Sequence, residues 1–560
     1  MRDLLVALKP RFLLLTLSVL ITIALLVLAI VEPAPAGAVL IPLFFVGSIA
    51  IIGLHDVIQT KHSILRNYPI LAHMRFIFED LRPAFRQYFF EGDKDGAPFG
   101  RDKRAIVYQR AKRALDKRPF GTQYDVYADR YEWLVHSIAP MPIATAPFTI
   151  TIGGPECREP YQASVFNISG MSYGALSANA IRSLNRGAKL GGFAHDTGEG
   201  SVSPHHLEFG GDLVWQIGSG YFGCRTADGK FCPDRFERTA SLPQVKLIEI
   251  KLSQGAKPGH GGVLPGAKVT PEIGAIRGIP EGLDCISPAQ HSAFSTPLEL
   301  IGFIDQLRRL SGEKPVGIKL CLGHRHEFLA IVKAMLQTGQ APDFIVVDGK
   351  EGGTGAAPLE FMDHLGTPLR DALVFVHSAL VGANLRDRIK LGASGKIVTA
   401  FDMARVMSLG ADWCNSARGF MFAVGCIQAQ QCHTGRCPTG VATQDIARQR
   451  AIVVPDKSER VASFHRETLN ALAELVSACG LAHPCELNPM HLMLRCAPDR
   501  ISSFAEHYDF LKPGELLAGG GSKLYRDAWN LAQAASFAPA AAVNGAEHGR
   551  ARGVASSSTG

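Results

Sequence analysis

The chain has 560 residues, 47% of them hydrophobic and 19% charged, with a formal net charge of +7. That length allows one large domain plus extras, and the composition describes a globular protein with an apolar excess, not a disordered one. Its 12 cysteines stay reduced if the chain is cytosolic, so a disulfide framework is not the expected reason for them.

The apolar excess has a local source. Phe12 to Val31 carries no charge over 20 residues, enough to cross roughly 30 Å of hydrocarbon as a helix. Ala36 to Leu54 is a second such run, separated from the first only by "EPAP". A cleaved signal peptide is the competing reading. The first run, however, exceeds the roughly 7–15 apolar residues of a signal core, and a second span follows at once. The expectation is a transmembrane helical hairpin over residues 1–55, with helices at about 12–31 and 36–54. Arg2, Lys9 and Arg11 precede the first span, and Lys61, Arg66 and Arg75 follow the second. The positive-inside rule then places both ends, and everything after residue 55, in the cytoplasm. This predicts a two-pass protein of the inner (cytoplasmic) membrane, with the lipid bilayer as a partner.

Residues 56–150 read as a mixed, largely helical connector, broken by the Gly, Asp and Pro residues of "EGDKDGAPFG". Bases concentrate in 101–118, "RDKRAIVYQRAKRALDKR". Such a run can meet nucleic acid, but beside a membrane hairpin the expected partners are anionic headgroups or solvent along a helix face. No nucleic-acid partner is expected.

Residues 151–500 alternate short apolar runs with helical patterns. The strand-like runs are "SVFNIS" at 164, "GGFAHD" at 191, "VKLIEIK" at 245, "LDCIS" at 283, "VGIKLC" at 316, "FIVVDG" at 344, "IKLGAS" at 389 and "DWCNSAR" at 412. Alternation argues for parallel β-α-β units, and eight of them for an α/β fold of the TIM (β/α)8 barrel type. Residues 501–560 form a C-terminal extension, Ala/Gly/Ser-rich and expected to be disordered from about 530.

In such a barrel functional residues gather at the C-terminal strand ends. Here those ends carry "GMSYGALS", "DTGEGSVSPHH", "KLSQGAKPGHGG", "SPAQHSAF", Lys319, "DGKEGGTGAAP", "ASGK" and "SARGF". Any one glycine cluster reads as an ordinary loop; a whole rim of them reads as a site where backbone N–H groups approach a ligand. Ser394, Gly395 and Arg418 form a candidate phosphate cradle, since arginine can clamp phosphate bidentately. No G-x-G-x-x-G lies between a strand and a helix with an acid about 20 residues on, which favours a mononucleotide over a dinucleotide. Just beyond lies "CIQAQQCHTGRCPTG", with Cys426, Cys432 and Cys437. Spacing alone leaves three readings: a three-iron cluster, a Cys3His zinc site using His433, or no ligand.

"GMSYGALS", "DTGEGS", "QGAKPGHGGVLPG", "DGKEGGTGAAPL" and the segment from "SGKIVTAFDMARVMSLGADWCNSARGF" through the cysteines resemble the synthase (FMN) domain of glutamate synthases over roughly 150–480. The chain is more closely similar to short, single-domain FMN-binding members of that family. The resemblance implies an FMN-binding barrel over 151–500 whose segment 426–437 holds a 3Fe-4S cluster through Cys426, Cys432 and Cys437. It further implies that Met171 and Ser172 face the flavin through their backbone, and that Gln216 and Lys319 contact the ring or a bound oxo acid. Glu199, Gln254 and Lys257 would line the substrate pocket; Gly352, Gly353 and Gly355 would approach the cofactor or acid; Gly395 and Arg418 would hold the phosphate.

Two departures fall on the substrate side. His260 stands where the large enzymes commonly carry an acid, and "EGSVSPHH" replaces "EGGE". Residue 2 is arginine, with no glutaminase nucleophile before the barrel and no second flavin or NADPH domain after it. Ammonia and electrons are therefore expected from outside, the electrons from a ferredoxin-like or membrane carrier. The implied activity is that of an oxidoreductase acting on CH–NH2 donors. Reduced FMN would pass hydride to an imino acid formed from 2-oxoglutarate and ammonia, giving glutamate. Lys257 would hold the carboxylate, Glu199 or His260 would move the imine proton, and Lys319 would complete the catalytic set. An N-alkylglutamate synthase or another amine or amino-acid oxidoreductase with the same cofactors is the alternative. A non-catalytic scaffold is disfavoured by the intact cysteine triplet, and a homo-oligomer is compatible with the sequence.

Overall fold

The computed structural model describes residues 9–31, 36–92 and 94–540. It divides into two compact units, Met1–Arg101 and Asp102–Gly560.

In the first unit, α1 (Leu13–Val31) and α2 (Ala36–Ile58) pack on each other. Small residues permit the approach: a Cβ at Gly53 would lie 2.8 Å from Leu15 Cδ1, and one at Gly47 would touch Thr22. Pro10–Val31 and Gly37–Ile58 are each long and apolar enough to cross a membrane, with mean hydropathies of 3.0 and 2.4. Leu20, Ile23, Val27, Phe44, Phe45 and Ile51 point outward and are exposed. The "EPAP" connection and Arg2 lie outside the described residues. Beyond a short helical turn at Ser63–Asn67, helix α3 (His73–Phe85) continues into a π-type turn at Arg86–Phe90. The buried Asp56 carboxylate fixes its start to the end of α2, with His73 Nε2 2.9 Å from both oxygens and Ile70 N–H donating at 2.9 Å.

Helix α4 (Arg101–Ala111) begins at the boundary, and all but its first residue belongs to the second unit. Here the reading of 101–118 as a headgroup-binding or solvated stretch is corrected for the helix alone; residues 112–118 are exposed. Val107 and Ala111 are buried, and so are Arg104 and Arg110. Lys103 Nζ donates to both Asp402 carboxylate oxygens at 2.9 and 3.1 Å, Arg110 Nε to Asp116 at 3.2 Å, and Arg113 to Glu459 at 3.3 Å. Carboxylates of the protein itself absorb these charges.

Eight parallel strands close the barrel: β1 (Phe166–Ile168), β2 (His195–Asp196), β3 (Leu213–Ile217), β4 (Val245–Lys251), β5 (Val316–Leu320), β6 (Phe344–Asp348), β7 (Lys390–Ser394) and β8 (Trp413–Ser416). The (β/α)8 expectation holds, but one strand in the count was misplaced. "LDCIS" is not a barrel strand; Cys285–Ile286 pairs antiparallel with Val263–Leu264 inside the long loop after β4. Its place is taken by "LVWQI", which pairs with both β2 and β4. The alternation that signals a β-α-β unit is weak there, because β2 and β3 are joined through a single helical turn, Pro204–Leu207.

Inside the barrel, large and small side chains alternate to fill the taper. A Cβ on Gly317 would fall 2.4 Å from the Phe344 ring, and one on Gly392 2.5 Å from the Trp413 ring, so these glycines make room for the two aromatics. Outside, α5 (Ala178–Gly191) follows β1, α6 (Pro233–Ala240) β3, α7 (Pro297–Leu310) β4, α8 (Arg325–Thr338) β5, α9 (Leu369–Gly382) β6, and α10 (Ala400–Ser408) β7; α11 (Arg418–Val424) and α12 (Val454–Ala478) follow β8. Gly187 lets α12 cross closely over α5, since a Cβ there would sit 2.6 Å from Val461 Cβ.

The last helix, α13 (Lys523–Leu531), packs on α8, where Lys333 Nζ donates to Trp529 O at 2.7 Å and Ala532 O at 2.9 Å. Leu298 N–H donates to Ala534 O at 3.2 Å. Disorder from about 530 is therefore corrected through residue 540; residues 541–560 lie outside the described residues.

Candidate active site on the C-terminal rim of the barrel

Strand alternation puts Leu247 and Glu249 of β4 on the barrel interior, and two residues on, Lys251 emerges at the rim. Around Glu249 the neighbouring strands contribute Asp196, Gln216, Lys319 and Asp348. Gln216 Nε2 bridges the two inner acids, donating to Glu249 Oε1 at 2.6 Å and Asp196 Oδ2 at 3.3 Å. Burial raises the Glu249 pKa to about 8, helped by the Asp196 charge. Burial likewise raises Asp196. Burial alone would discharge Lys319, but Asp348, Glu249 and Asp196 outweigh it and hold its pKa above that of a free lysine. Asp348 also accepts from Gly255 N–H at 2.9 Å.

The loops above are in close contact. Gly198, at φ +63°, lets "DTGEG" lie against "GMSYG": a Cβ there would be 2.7 Å from Ser172 N. One on Gly170 would meet Gln216 and Asp196 at about 3 Å. Arg277 donates to Ser172 Oγ at 3.2 Å and Tyr173 O at 3.0 Å. Glu199 is wedged between Gly218 and Gly262, whose Cβ atoms would collide with its carboxylate, and Lys251 Nζ pairs with it at 3.3 Å. Burial pushes Glu199 toward protonation, yet Lys251 and Arg277 outweigh it, so its pKa falls below the ordinary value. Lys257, with 2% of its surface exposed, donates to Ala356 O at 3.0 Å, and burial lowers its pKa to about 8.

Most of the expected site residues thus meet on one rim, with three exceptions. His260 turns back to its own loop, its Nδ1 2.8 Å from Gly261 O and its ring edge-on to Phe361. Gln254 contributes a backbone carbonyl to the turn holding Lys257, at 3.3 Å. Arg418 is not aimed at Ser394 and Gly395: its Nη2 donates to Thr354 O at 2.6 Å, and its Nη1 faces Met421 Sδ at 3.3 Å and Cys432 Sγ at 3.8 Å. Ser394 pairs with Ser169, two strands away at the end of β1, at 3.3 Å, and Gly395 follows at φ +146°. Gly352 closes a turn to Gly349 O at 2.8 Å, Gly353 lies against Arg418, and Gly355 has open space above it.

Cys426 and Cys437 are buried and Cys432 half-buried, all in the reduced state with the other nine. Gln428 N–H points at Cys426 Sγ at 3.4 Å, and Tyr108 of α4 donates to Cys426 O at 2.7 Å. Lys268, itself buried, donates to Ala175 O at 2.7 Å and Cys432 O at 3.2 Å; burial lowers its pKa to about 8, against the pull of Cys432 and Cys437. Burial raises Cys437, but Thr439 and the amides around it outweigh this and lower its pKa. His433 is exposed. Among the described residues, no three His, Cys, Asp or Glu side chains are gathered closely enough to hold a metal ion.

Asp196, Glu249, Lys251, Asp348 and Arg277 were missed at the sequence level. For Glu249 and Lys251 a signal existed: inside "VKLIEIK" they share the period-two face of Leu247. Arg277 carries none, because it ends a short helix in the long loop after β4.

A closed barrel whose ionisable groups converge on its C-terminal rim has the architecture of a (β/α)8 enzyme. The family model described as a conserved region in glutamate synthase matches residues 140–482. The glutamate synthase large subunit-like protein YerD of Bacillus subtilis is 38% identical over 500 residues, covering 81% of this chain and 95% of that protein. An archaeal NADPH glutamate synthase of Methanocaldococcus jannaschii is 37% identical over 315 residues, covering 56% of this chain and 58% of that one. A solved flavocytochrome b2 mutant with pyruvate bound is similar at a TM-score of 0.39 and 14% identity, covering 78% of this chain and 91% of that one. The chain belongs to the glutamate synthase family, and its class is that of glutamate synthase-type oxidoreductases.

Proposed function

We propose that the chain is a membrane-anchored FMN and iron–sulfur oxidoreductase that aminates a 2-oxo acid, 2-oxoglutarate in the first instance, using ammonia or an amine and electrons from an external donor. The observation that carries this reading is the double contact of Arg418, which joins the glycine loop of β6 at Thr354 to the cysteine loop at Cys432. One side chain thereby couples the rim to the cysteine segment.

The rim fits a flavin mononucleotide. Gly395 has a backbone conformation that side chains rarely adopt, and with Ser394 and Ser169 it offers a small polar cradle for a phosphate. Lys319 stays charged beneath the rim, Gln216 is held in place by the two inner acids, and Met171 and Ser172 are fixed by Gly198 and Arg277. When bound, FMN supplies hydride chemistry. The cysteine loop fits an iron–sulfur cluster in donor chemistry: three thiols flanked by the cations Lys268 and Arg418, with amide and hydroxyl donors at sulfur of the kind that tune such centres.

The chain's own residues take distinct parts. Lys257, buried within reach of the Glu199 and Lys251 charges, binds the acid's carboxylate. Glu199 is ionised at neutral pH, so it serves as proton acceptor and electrostatic anchor, while Lys251 fixes its orientation. His260 is turned away from this pair and is assigned no proton transfer. The hairpin α1–α2 anchors the chain in the cytoplasmic membrane as a two-pass protein, with the barrel in the cytoplasm by the positive-inside rule.

The test is a single anaerobic turnover. Photoreduced protein should be reoxidised by 2-oxoglutarate plus ammonia far faster than by either alone. Methylamine outperforming ammonia would select the N-alkylglutamate alternative, and no response to 2-oxoglutarate with any amine would reject the substrate assignment.

A further inference from the structure

The first unit carries an apolar face that the hairpin does not use. On α3, Met74, Ile77, Phe78, Leu81 and Phe85 are between 43% and 60% exposed. At the pitch of an α-helix these five side chains fall within an arc about 100° wide. Glu79 and Asp80 lie on the far side. Arg75 and Arg82 flank one edge of the arc, where long basic side chains extend from an apolar surface to a polar one; Arg75 Nε also donates to Glu79 at 2.8 Å. The π-type turn adds Tyr88, Phe89 and Phe90, at 57%, 74% and 78% exposed. A contiguous patch of this kind on a soluble surface marks an interaction site.

We propose that α3 and the turn after it lie in the plane of the membrane–water interface, apolar face toward the acyl chains, with Arg75 and Arg82 on anionic headgroups. The occupant of this face is the lipid surface next to the hairpin. Continuity argues for it: the buried Asp56, two residues from the end of α2, accepts from His73 and from Ile70 N–H, so α3 begins where the second apolar helix ends. Composition argues for it as well. A helix with a sharply one-sided apolar face, charges opposite and aromatics at its end is the kind that lies on a bilayer and does not cross it.

The inference rests on the membrane reading of α1 and α2. Its test uses the full chain in vesicles of phosphatidylethanolamine and phosphatidylglycerol, with a benzoylphenylalanine photoprobe in place of Phe78, of Phe45 on α2, or of Asp80. Lipid adducts are expected at Phe45 and Phe78 and lost at Asp80. Adducts at Phe45 without any at Phe78 overturn the inference and leave the anchor standing; absence at both overturns the anchor and the inference together. An adduct from Phe78 to a second copy of the chain makes the face an oligomer interface and overturns the lipid assignment.

Discussion

Lys257 is almost wholly buried and its pKa is depressed to about 8 by that burial, with Lys251 adding to the fall and Glu199 opposing it. Because a free lysine titrates near 10.5, the unfolded chain holds the proton more readily between these values, and this group's contribution to stability rises with pH across that window. Substrate binding runs the other way, since only the charged form holds a carboxylate. The KM for the oxo acid should climb by up to about tenfold per pH unit above about 8, with kcat moving less. Lys257→Met should start from a high KM and show no such climb; a flat wild-type KM from pH 7 to 9 removes Lys257 from the substrate. Glu199→Gln should leave Lys251 buried without its partner, lowering stability by about 3 kcal/mol and kcat by about 100-fold with flavin retained. Chemical denaturation and flavin content check this; a variant of unchanged kcat excludes Glu199 from proton transfer. Glycine-rich stretches at the strand ends made the rim legible in the sequence, while Glu199 and Lys257 were singled out by the family resemblance. Asp196, Glu249 and Asp348 were hidden inside apolar strands, where composition dilutes a single inward charge and only strict alternation exposes it.

At the scale of elements, seven of the eight barrel strands were legible as apolar runs separated by helices. The eighth, Leu213–Ile217, was hidden by the single-turn connection before it, and a two-residue hairpin strand in the β4 loop took its place in the count. Propensity could not separate the two, since closure of the barrel, a long-range property, decides which run pairs with β2 and β4. The glycines inside β5 and β7 have the same origin. Gly392→Ala should force a methyl within 2.5 Å of the Trp413 ring and cost about 1–3 kcal/mol by overpacking. Gly355→Ala, at a position open to solvent, should cost far less. Denaturant midpoints for the pair check this, and equal losses would contradict the layered packing. In the cysteine loop, Arg418→Ala removes contacts to both Thr354 and Cys432, so iron and FMN per chain should both fall after gel filtration. Loss of FMN with full iron would confine Arg418 to the flavin.

For the whole molecule, the division at Arg101/Asp102 separates an apolar unit from one with a complete barrel core. Membrane attachment should therefore be lost in two steps. If the two apolar helices span the bilayer as proposed, the full chain should resist carbonate extraction. Removal of residues 1–60 keeps α3, whose apolar face can still lie on a bilayer, and this form should pellet with anionic vesicles at low salt and be released at high salt or by carbonate, because Arg75 and Arg82 act through a screened attraction. Removal of residues 1–101 takes away both devices, so the remaining chain should stay in the supernatant at any salt while keeping its flavin, since every rim residue lies beyond Asp102. Sedimentation with vesicles and flavin absorbance report the two properties separately. A chain of residues 102–560 that still pellets with lipid would place a membrane contact on the barrel unit, and one that loses flavin would show that the first unit supports the rim. External protease on intact cells tests the proposed topology: a barrel on the cytoplasmic side stays uncut, and cleavage within 102–540 reverses the orientation proposed from Lys61, Arg66 and Arg75.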